Sequence, residues 1–391
     1  MHNHFVDVAR HLTKIGGEIP RTAWLRANIA AIPASPAFRP HCCQNYASDL
    51  GVRYRPDPKI YLTEVLKSIN YIESDTMSPQ SFFQEWVHEG SDELVLAHHF
   101  DALINFAGEW EFAGEVAKLF WTTFRSGNDL SLLTYCASAA SRVDIAISEE
   151  IYRYIESRAY SPGNQVMSRV RHIAKLIKRD GDLDAAAIFI NQTQAQIDNY
   201  CQSHSISSGD SAVYHSIVDN IHGLLLSKLK KYGDAYALLT SAAERMKMAD
   251  GLVTIEEDPR LRYFEQIQVN RVQLLLLQDR LEEALNMARR HADWVKSNHD
   301  FSLSEALHIL GYAEYLCMDY HDAKGHWEEA MLLSAEHGLV TPLNALRKGL
   351  SVVYGKLGND DRSIEVYKSI STDPAGIKLS LKGGAGVERL Q

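Results

Sequence analysis

The chain has 391 residues, of which 46% are hydrophobic, so it can bury a large core. Its formal net charge of −10 argues against a general nucleic-acid binder. No basic segment followed by an apolar run opens the sequence, and no stretch approaches the ~18 apolar residues of a membrane helix. The five cysteines are scattered and odd in number, which is typical of reduced thiols. We therefore expect a cytoplasmic protein with no membrane partner.

Residues 1–92 are the first predicted unit. Helices are expected at about 4–15, 21–31, 59–73 and 79–88. Ser78 and Pro79 give the last of these a cap and a first-turn proline. A proline-rich loop, 32–58, separates the second helix from the third, and loops of this length are either irregular or used for docking. We expect an irregular helical N-terminal cap that closes the first repeat; the alternative is a small separate module.

Residues 93–371 show a recurring helical hairpin. A small residue opens the second helix of each unit, at spacings of 49, 49, 39 and 40 residues. These positions are Ala186, Ala235, Ala284, Ala323 and Ser363. Turn signals fall between helices at 179–182, 232–234 and 357–360. Apolar residues cover more than one face of a helix, as in Val269–Leu277, so each hairpin needs neighbours on both sides.

The clearest unit is Leu307–Ala330. Gly311 and Ala323 are small where two helices would cross, and Leu310 and Trp327 are large enough to fill the gap between them. This pattern resembles the tetratricopeptide repeat, in the longer form found in bacterial regulators, because the spacings exceed the usual ~34 residues. The resemblance implies an all-α fold, an α-α superhelix or TPR-like solenoid over 93–371, followed by a tail at 372–391.

Possible catalytic and metal motifs each have a simpler explanation. His41, Cys42 and Cys43 are adjacent, which does not suit tetrahedral zinc. Asp180–Asp184 begins like a calcium loop, but Ala185 stands where that loop needs glycine. The sequence contains no nucleophile elbow and no phosphate-binding loop. We therefore predict no metal, no cofactor and no enzymatic activity.

The resemblance also assigns a partner-binding groove, because the first helix of each tetratricopeptide hairpin lines the concave surface. The residues so assigned are Arg171, Lys175, Lys178, Arg179, Asn220, Lys228, Gln273, His308, Tyr312, Lys348 and Lys356. Arg171, Lys175 and Lys178 stand at i, i+4 and i+7 and share one helix face. The groove would be basic and amide-rich although the chain is acidic. The alternative is an ordinary solvated face.

The leading functional hypothesis is a non-enzymatic scaffold or adaptor that binds a protein or peptide partner, with an acidic segment favoured. One alternative is a regulatory subunit that senses a ligand or peptide and switches a partner protein. Another is an enzyme, or the regulatory subunit of an enzyme complex, with its chemistry in the N-terminal region. The sequence does not predict the oligomeric state.

Overall fold

The computed structural model describes residues 78–87, 93–101, 103–104, 110–158, 161–248, 259–298, 302–336 and 340–369. Several sequence predictions lie outside these residues: the helices at 4–15, 21–31 and 59–73, the loop 32–58 and the tail 372–391. Within the described ranges the chain is all-α and contains no strand. The predicted all-α helical repeat fold is therefore confirmed.

The first five of the described helices form one packed group. They are α1 (Pro79–Trp86), α2 (Glu93–Asp101), α3 (Trp110–Phe124), α4 (Leu130–Ala140) and α5 (Ile145–Ser157). The start of α1 is as predicted, because the Ser78 hydroxyl accepts a hydrogen bond from the Ser81 amide at 3.1 Å and Pro79 opens the helix. Phe82, Phe83 and Val87 pack in the same hydrophobic cluster as α2–α5. Helix α1 thus shares its core with the four helices that follow it, and the cap predicted for residues 1–92 lies mostly outside the described residues.

Five hairpins follow, and in each the first helix is called A and the second B. The A helices are α6 (Pro162–Lys175), α8 (Ser208–Lys228), α10 (Pro259–Leu277), α12 (Leu303–Leu316) and α14 (Val340–Lys356). The B helices are α7 (Leu183–Gln202), α9 (Tyr232–Met248), α11 (Leu281–Asn298), α13 (Tyr320–Glu336) and α15 (Asp360–Lys368). A π-helical turn, Leu176–Asp180, extends α6.

The turn between A and B contains a left-handed residue at the same position in all five hairpins. One residue adopts a left-handed conformation two positions before the B helix begins. These residues are Gly181, Lys230, Asp279, Met318 and Gly358, with φ between 58° and 74°. In the last four turns the next amide donates to a carbonyl five residues earlier, as in a Schellman motif. In the first turn the Asp182 amide donates to the Leu176 carbonyl, six residues earlier, because the π turn adds a residue. The turn predicted at 232–234 is corrected: its left-handed residue is Lys230, and Gly233 lies inside α9.

The small residues that defined the repeat occupy one register. Each is the fourth residue of its B helix, and Ala186, Ala235, Ala284 and Ala323 have no exposed surface. Trp327, one turn beyond Ala323, packs between α12 and α14, and its indole Nε1 donates to the His308 carbonyl at 2.9 Å. The small and large positions therefore form the helix crossings that the sequence predicted.

Stacking of the hairpins places the A helices in a continuous layer. Each A helix packs on its own B helix and on the A helix of the next hairpin. Helix α10 shows why one hairpin is not enough: Ile267 and Leu274 join the cluster of the preceding hairpins, and Val272 and Leu275 join the next one. None of the described helices is both long and apolar enough to cross a membrane.

Candidate functional site

A cleft of about 230 Å³ opens along the A helices α6, α8 and α10; we call it the inner cleft. Its apolar floor is formed by residues such as Val170, Ile217 and Leu224. Its polar lining consists of Arg171, Lys178, Asn220, Ser227, Tyr263, Gln266, Asn270 and Gln273. The structure therefore brings together four groove residues predicted from the repeat positions: Arg171, Lys178, Asn220 and Gln273.

The amide side chains of the inner cleft are connected. The Asn220 amide Nδ2 donates to Gln266 Oε1 at 3.1 Å, and the Asn270 amide Nδ2 donates to Asn220 Oδ1 at 2.8 Å. Asn220 is buried, whereas Gln266 and Gln273 are exposed on the next A helix. This network fixes the amides at the α8–α10 contact, and it leaves further donors and acceptors for a ligand.

The α6 side of the cleft is positively charged. Burial lowers the pKa of Lys178, and the neighbouring charges of Arg171, Arg179 and Lys228 lower it further. Lys228 is exposed at the end of α8. No aspartate or glutamate is found among the described residues that line the cleft. An anion entering here would be attracted by the positive side chains that line the α6 side of the cleft.

Lys175 does not line the cleft, which corrects the sequence interpretation. Its side chain is 4% exposed, and its Nζ contacts Glu149 of α5 and lies 2.8 Å from Asp180 Oδ2. The i+4 spacing rotates Lys175 about 40° around the helix from Arg171, which is enough to turn it towards α5. Glu149 also contacts His172, whose Nε2 lies 3.1 Å from Glu149 Oε1. Lys175 thus belongs to a buried polar cluster at the α5–α6 contact.

Arg179 also points away from the cleft. Its guanidinium lies over the Trp110 ring at 5.9 Å, and Arg142 approaches the same ring at 5.2 Å. Burial, together with the charge of Arg142, lowers the pKa of Arg179. The π turn that contains Lys178 and Arg179 therefore sends one cation to the inner cleft and the other to α3.

The remaining predicted groove residues lie on α12 and α14, beyond the cleft. His308 packs edge-to-face with Trp327 at 6.4 Å, and burial lowers the pKa of its imidazole. Tyr312 packs against the C-terminal hydrophobic cluster. Lys348 is half-buried, and Lys356 is exposed in the last turn of α14. These four residues are not part of the cleft formed by α6, α8 and α10.

Asn270 and Tyr263 were missed by the repeat offsets. Asn270 stands four residues after Gln266 and three before Gln273, so the three share one face of α10. Counting helical spacing back from the predicted Gln273 would have found it. Tyr263 lies three residues before Gln266 and extends the same face.

The described residues hold no group of three or more histidine, cysteine, aspartate or glutamate side chains arranged to bind a metal ion. His41, Cys42 and Cys43 lie outside the described part of the chain. Cys136, Cys201 and Cys317 are free thiols. No protein-family model matches this chain, and no curated protein matches it.

Proposed function

We propose that this protein is a non-enzymatic scaffold or adaptor whose inner cleft binds an acidic segment of a protein or peptide partner. The observation that carries the proposal is the joint placement of Arg171 and Lys178 in a cleft with no lining carboxylate. The resemblance to the tetratricopeptide family supports the same proposal, since that family places ligands on its A helices. We propose the cytoplasm as its location, where free thiols persist.

The two sides of the inner cleft would contribute to binding in different ways. Cations on α6 attract carboxylates, and low-dielectric walls of one sign focus their potential and speed association. Each exposed ion pair adds only ~0.2–1 kcal/mol, so affinity needs several of them together. The amides of Asn220, Asn270 and Gln273 would pair with peptide backbone groups and set the register of the bound segment.

Fluorescence anisotropy with labelled peptides tests this proposal. The probes are a hexapeptide rich in aspartate and glutamate, and its counterpart with asparagine and glutamine. We expect the acidic peptide to bind more tightly, with an affinity that falls as salt is added. In the double variant Arg171→Ala/Lys178→Ala, the dissociation constant should rise about tenfold, corresponding to ~1.4 kcal/mol.

The matched control removes two lysines that lie away from the cleft, Lys296 on α11 and Lys368 on α15. Both are exposed, so Lys296→Ala/Lys368→Ala changes the net charge equally without touching the cleft. We expect this control to bind like the unchanged protein. Equal affinity for the two peptides, or equal losses in the two double variants, would contradict the proposal.

A further inference from the structure

A second cavity lies on the opposite side of α10 from the inner cleft. It has a volume of about 590 Å³ and is formed by α9, α10 and α11. We call it the outer pocket and define it by Tyr236, Phe264, Arg271, Met287, Arg290 and Trp294. Phe264 and Arg271 lie on the face of α10 opposite the residues that line the inner cleft. The volume lies in the range typical of small-molecule sites, about 300–1,000 Å³.

Aromatic rings form much of the wall of the outer pocket. Phe264 and Trp294 pack edge-to-face, with ring centroids 5.6 Å apart. Tyr236 stands on α9, and Met287, a polarisable side chain that adapts to ring ligands, stands on α11. Such walls favour a planar aromatic ligand, because a ring can stack or pack edge-to-face against them.

Three cations line the outer pocket: Lys247, which pairs with Glu244, and the guanidinium groups of Arg271 and Arg290. Arg271 lies over the Tyr236 ring at 5.4 Å and donates through Nη1 to Gln268 Oε1 at 2.9 Å. Its Nε is buried and has no hydrogen-bond partner among the described residues. Arg290 is exposed at the rim. A guanidinium stays charged and donates in a planar fork that matches a carboxylate or phosphate.

The carboxylates of the outer pocket are already paired. Glu283 accepts two hydrogen bonds from Arg280, at 2.7 and 2.6 Å. Glu244 pairs with Lys247, at 3.4 Å. The buried Nε of Arg271 is therefore left without a carboxylate from the residues that line the pocket.

We propose that the outer pocket binds a small planar aromatic ligand that carries an oxyanion. The ring would occupy the space between the aromatic walls, and the oxyanion would accept from Arg271 and Arg290. A nucleoside phosphate and an aromatic carboxylate share this chemistry. The site is separate from the inner cleft, so its ligand is distinct from the peptide partner.

Isothermal titration calorimetry of the full chain tests the proposal with six probes. Adenosine monophosphate and indole-3-acetate carry both a ring and an oxyanion. Adenosine and indole carry the ring alone, and inorganic phosphate and acetate carry the oxyanion alone. We expect at least one combined probe to bind at least about tenfold more tightly than either half, the increment of one charge-assisted hydrogen bond. Which combined probe binds more tightly distinguishes a phosphate ligand from a carboxylate ligand.

Variants locate the binding. Arg290→Gln removes an exposed charge and keeps the fold, so it should weaken the combined probe about tenfold. Arg271→Gln should do the same, with circular dichroism to verify folding. Lys296→Gln, also on α11 but outside the pocket, should bind normally.

The inner-cleft variant Arg171→Ala/Lys178→Ala should also bind the combined probe normally, so failure of one site is separable from failure of the other. Two results overturn the proposal. One is that neither combined probe binds more tightly than its halves. The other is that neither Arg271→Gln nor Arg290→Gln changes the affinity for the combined probe.

Discussion

The indole of Trp327 fills the space beside Gly311. A Cβ atom on Gly311 would lie 2.6 Å from Cδ1 and Nε1 of the ring. On the other side of the ring, a Cβ on Gly349 would lie 2.7 Å from Cζ3. The ring of one B helix is thus clamped between two A helices, α12 and α14. This contact ties successive hairpins together.

Gly311→Ala should therefore destabilise the array. The added methyl group would overlap a buried ring whose Nε1 is fixed by its hydrogen bond to His308, and overpacking of this kind costs ~1–3 kcal/mol. Gly325→Ala is the control, because a Cβ there meets nothing within 4 Å. Replacing this helical glycine should add ~0.5–1 kcal/mol of stability. Urea unfolding measures both. Equal stability of Gly311→Ala and the unchanged protein would show that the ring can move aside.

The sequence predicted the repeat because small and large residues at a crossing depend only on local geometry. Ala323 and Trp327 lie where one helix packs against the next, and the same contact recurs at a fixed position in the repeat. The inner cleft was only partly predictable. Lys175 has the spacing of a groove residue, but Glu149, 26 positions earlier, holds it at the α5–α6 contact. The π turn directs the side chains of Lys178 and Arg179 to different surfaces. No residue type in the sequence marks the position of this turn.

The repeated left-handed turn gives a second prediction. Gly358 has φ of 74°, and a Cβ there would meet nothing within 4 Å, so Gly358→Ala should cost ~1–2 kcal/mol from the backbone conformation alone. Met318 adopts the equivalent conformation, with φ of 64°, and its side chain is 74% exposed. Met318→Gly should relieve that strain and lose little packing, for a net gain of ~0.5–1 kcal/mol after the entropy of glycine. Thermal unfolding that ranks the two variants in the opposite order would exclude strain at these turns.

The ion pair between His326 and Glu314 predicts a pH dependence of stability. His326 Nδ1 lies 2.7 Å from Oε2 of the fully buried Glu314, and this hydrogen bond raises the pKa of His326. Glu329 and Asp322 raise it further, and Arg289 approaches the other Glu314 oxygen at 3.9 Å. Because the folded pKa is raised, the stabilisation is complete below the unfolded value of ~6.5 and is lost as the pH rises through the folded pKa.

His326→Gln should accordingly lower the free energy of unfolding most at pH 6, by about 1 kcal/mol, since the side chain is one-third exposed. The deficit should shrink at pH 8.5. His321→Gln, an exposed histidine on the same helix, is the matched control and should show the same small effect at both pH values. Chemical denaturation at the two pH values checks the difference. A deficit that grows with pH would contradict the assignment.

The separation of Lys175 from Lys178 gives the last prediction. Lys175→Met leaves Asp180 at the α5–α6 contact without its cation and leaves Glu149 with His172, and an unsatisfied buried group costs ~1–3 kcal/mol. Lys178→Met removes a charge that already repels Arg171, Arg179 and Lys228, so stability should change by less than ~0.5 kcal/mol. Binding should follow the reverse order: Lys178→Met weakens the acidic peptide, and Lys175→Met, assayed where it is fully folded, does not. Unfolding curves and anisotropy on the same two variants test both halves. If Lys175→Met alone abolished binding while the protein stayed folded, Lys175 would reach the ligand and the assignment of the inner cleft would be wrong.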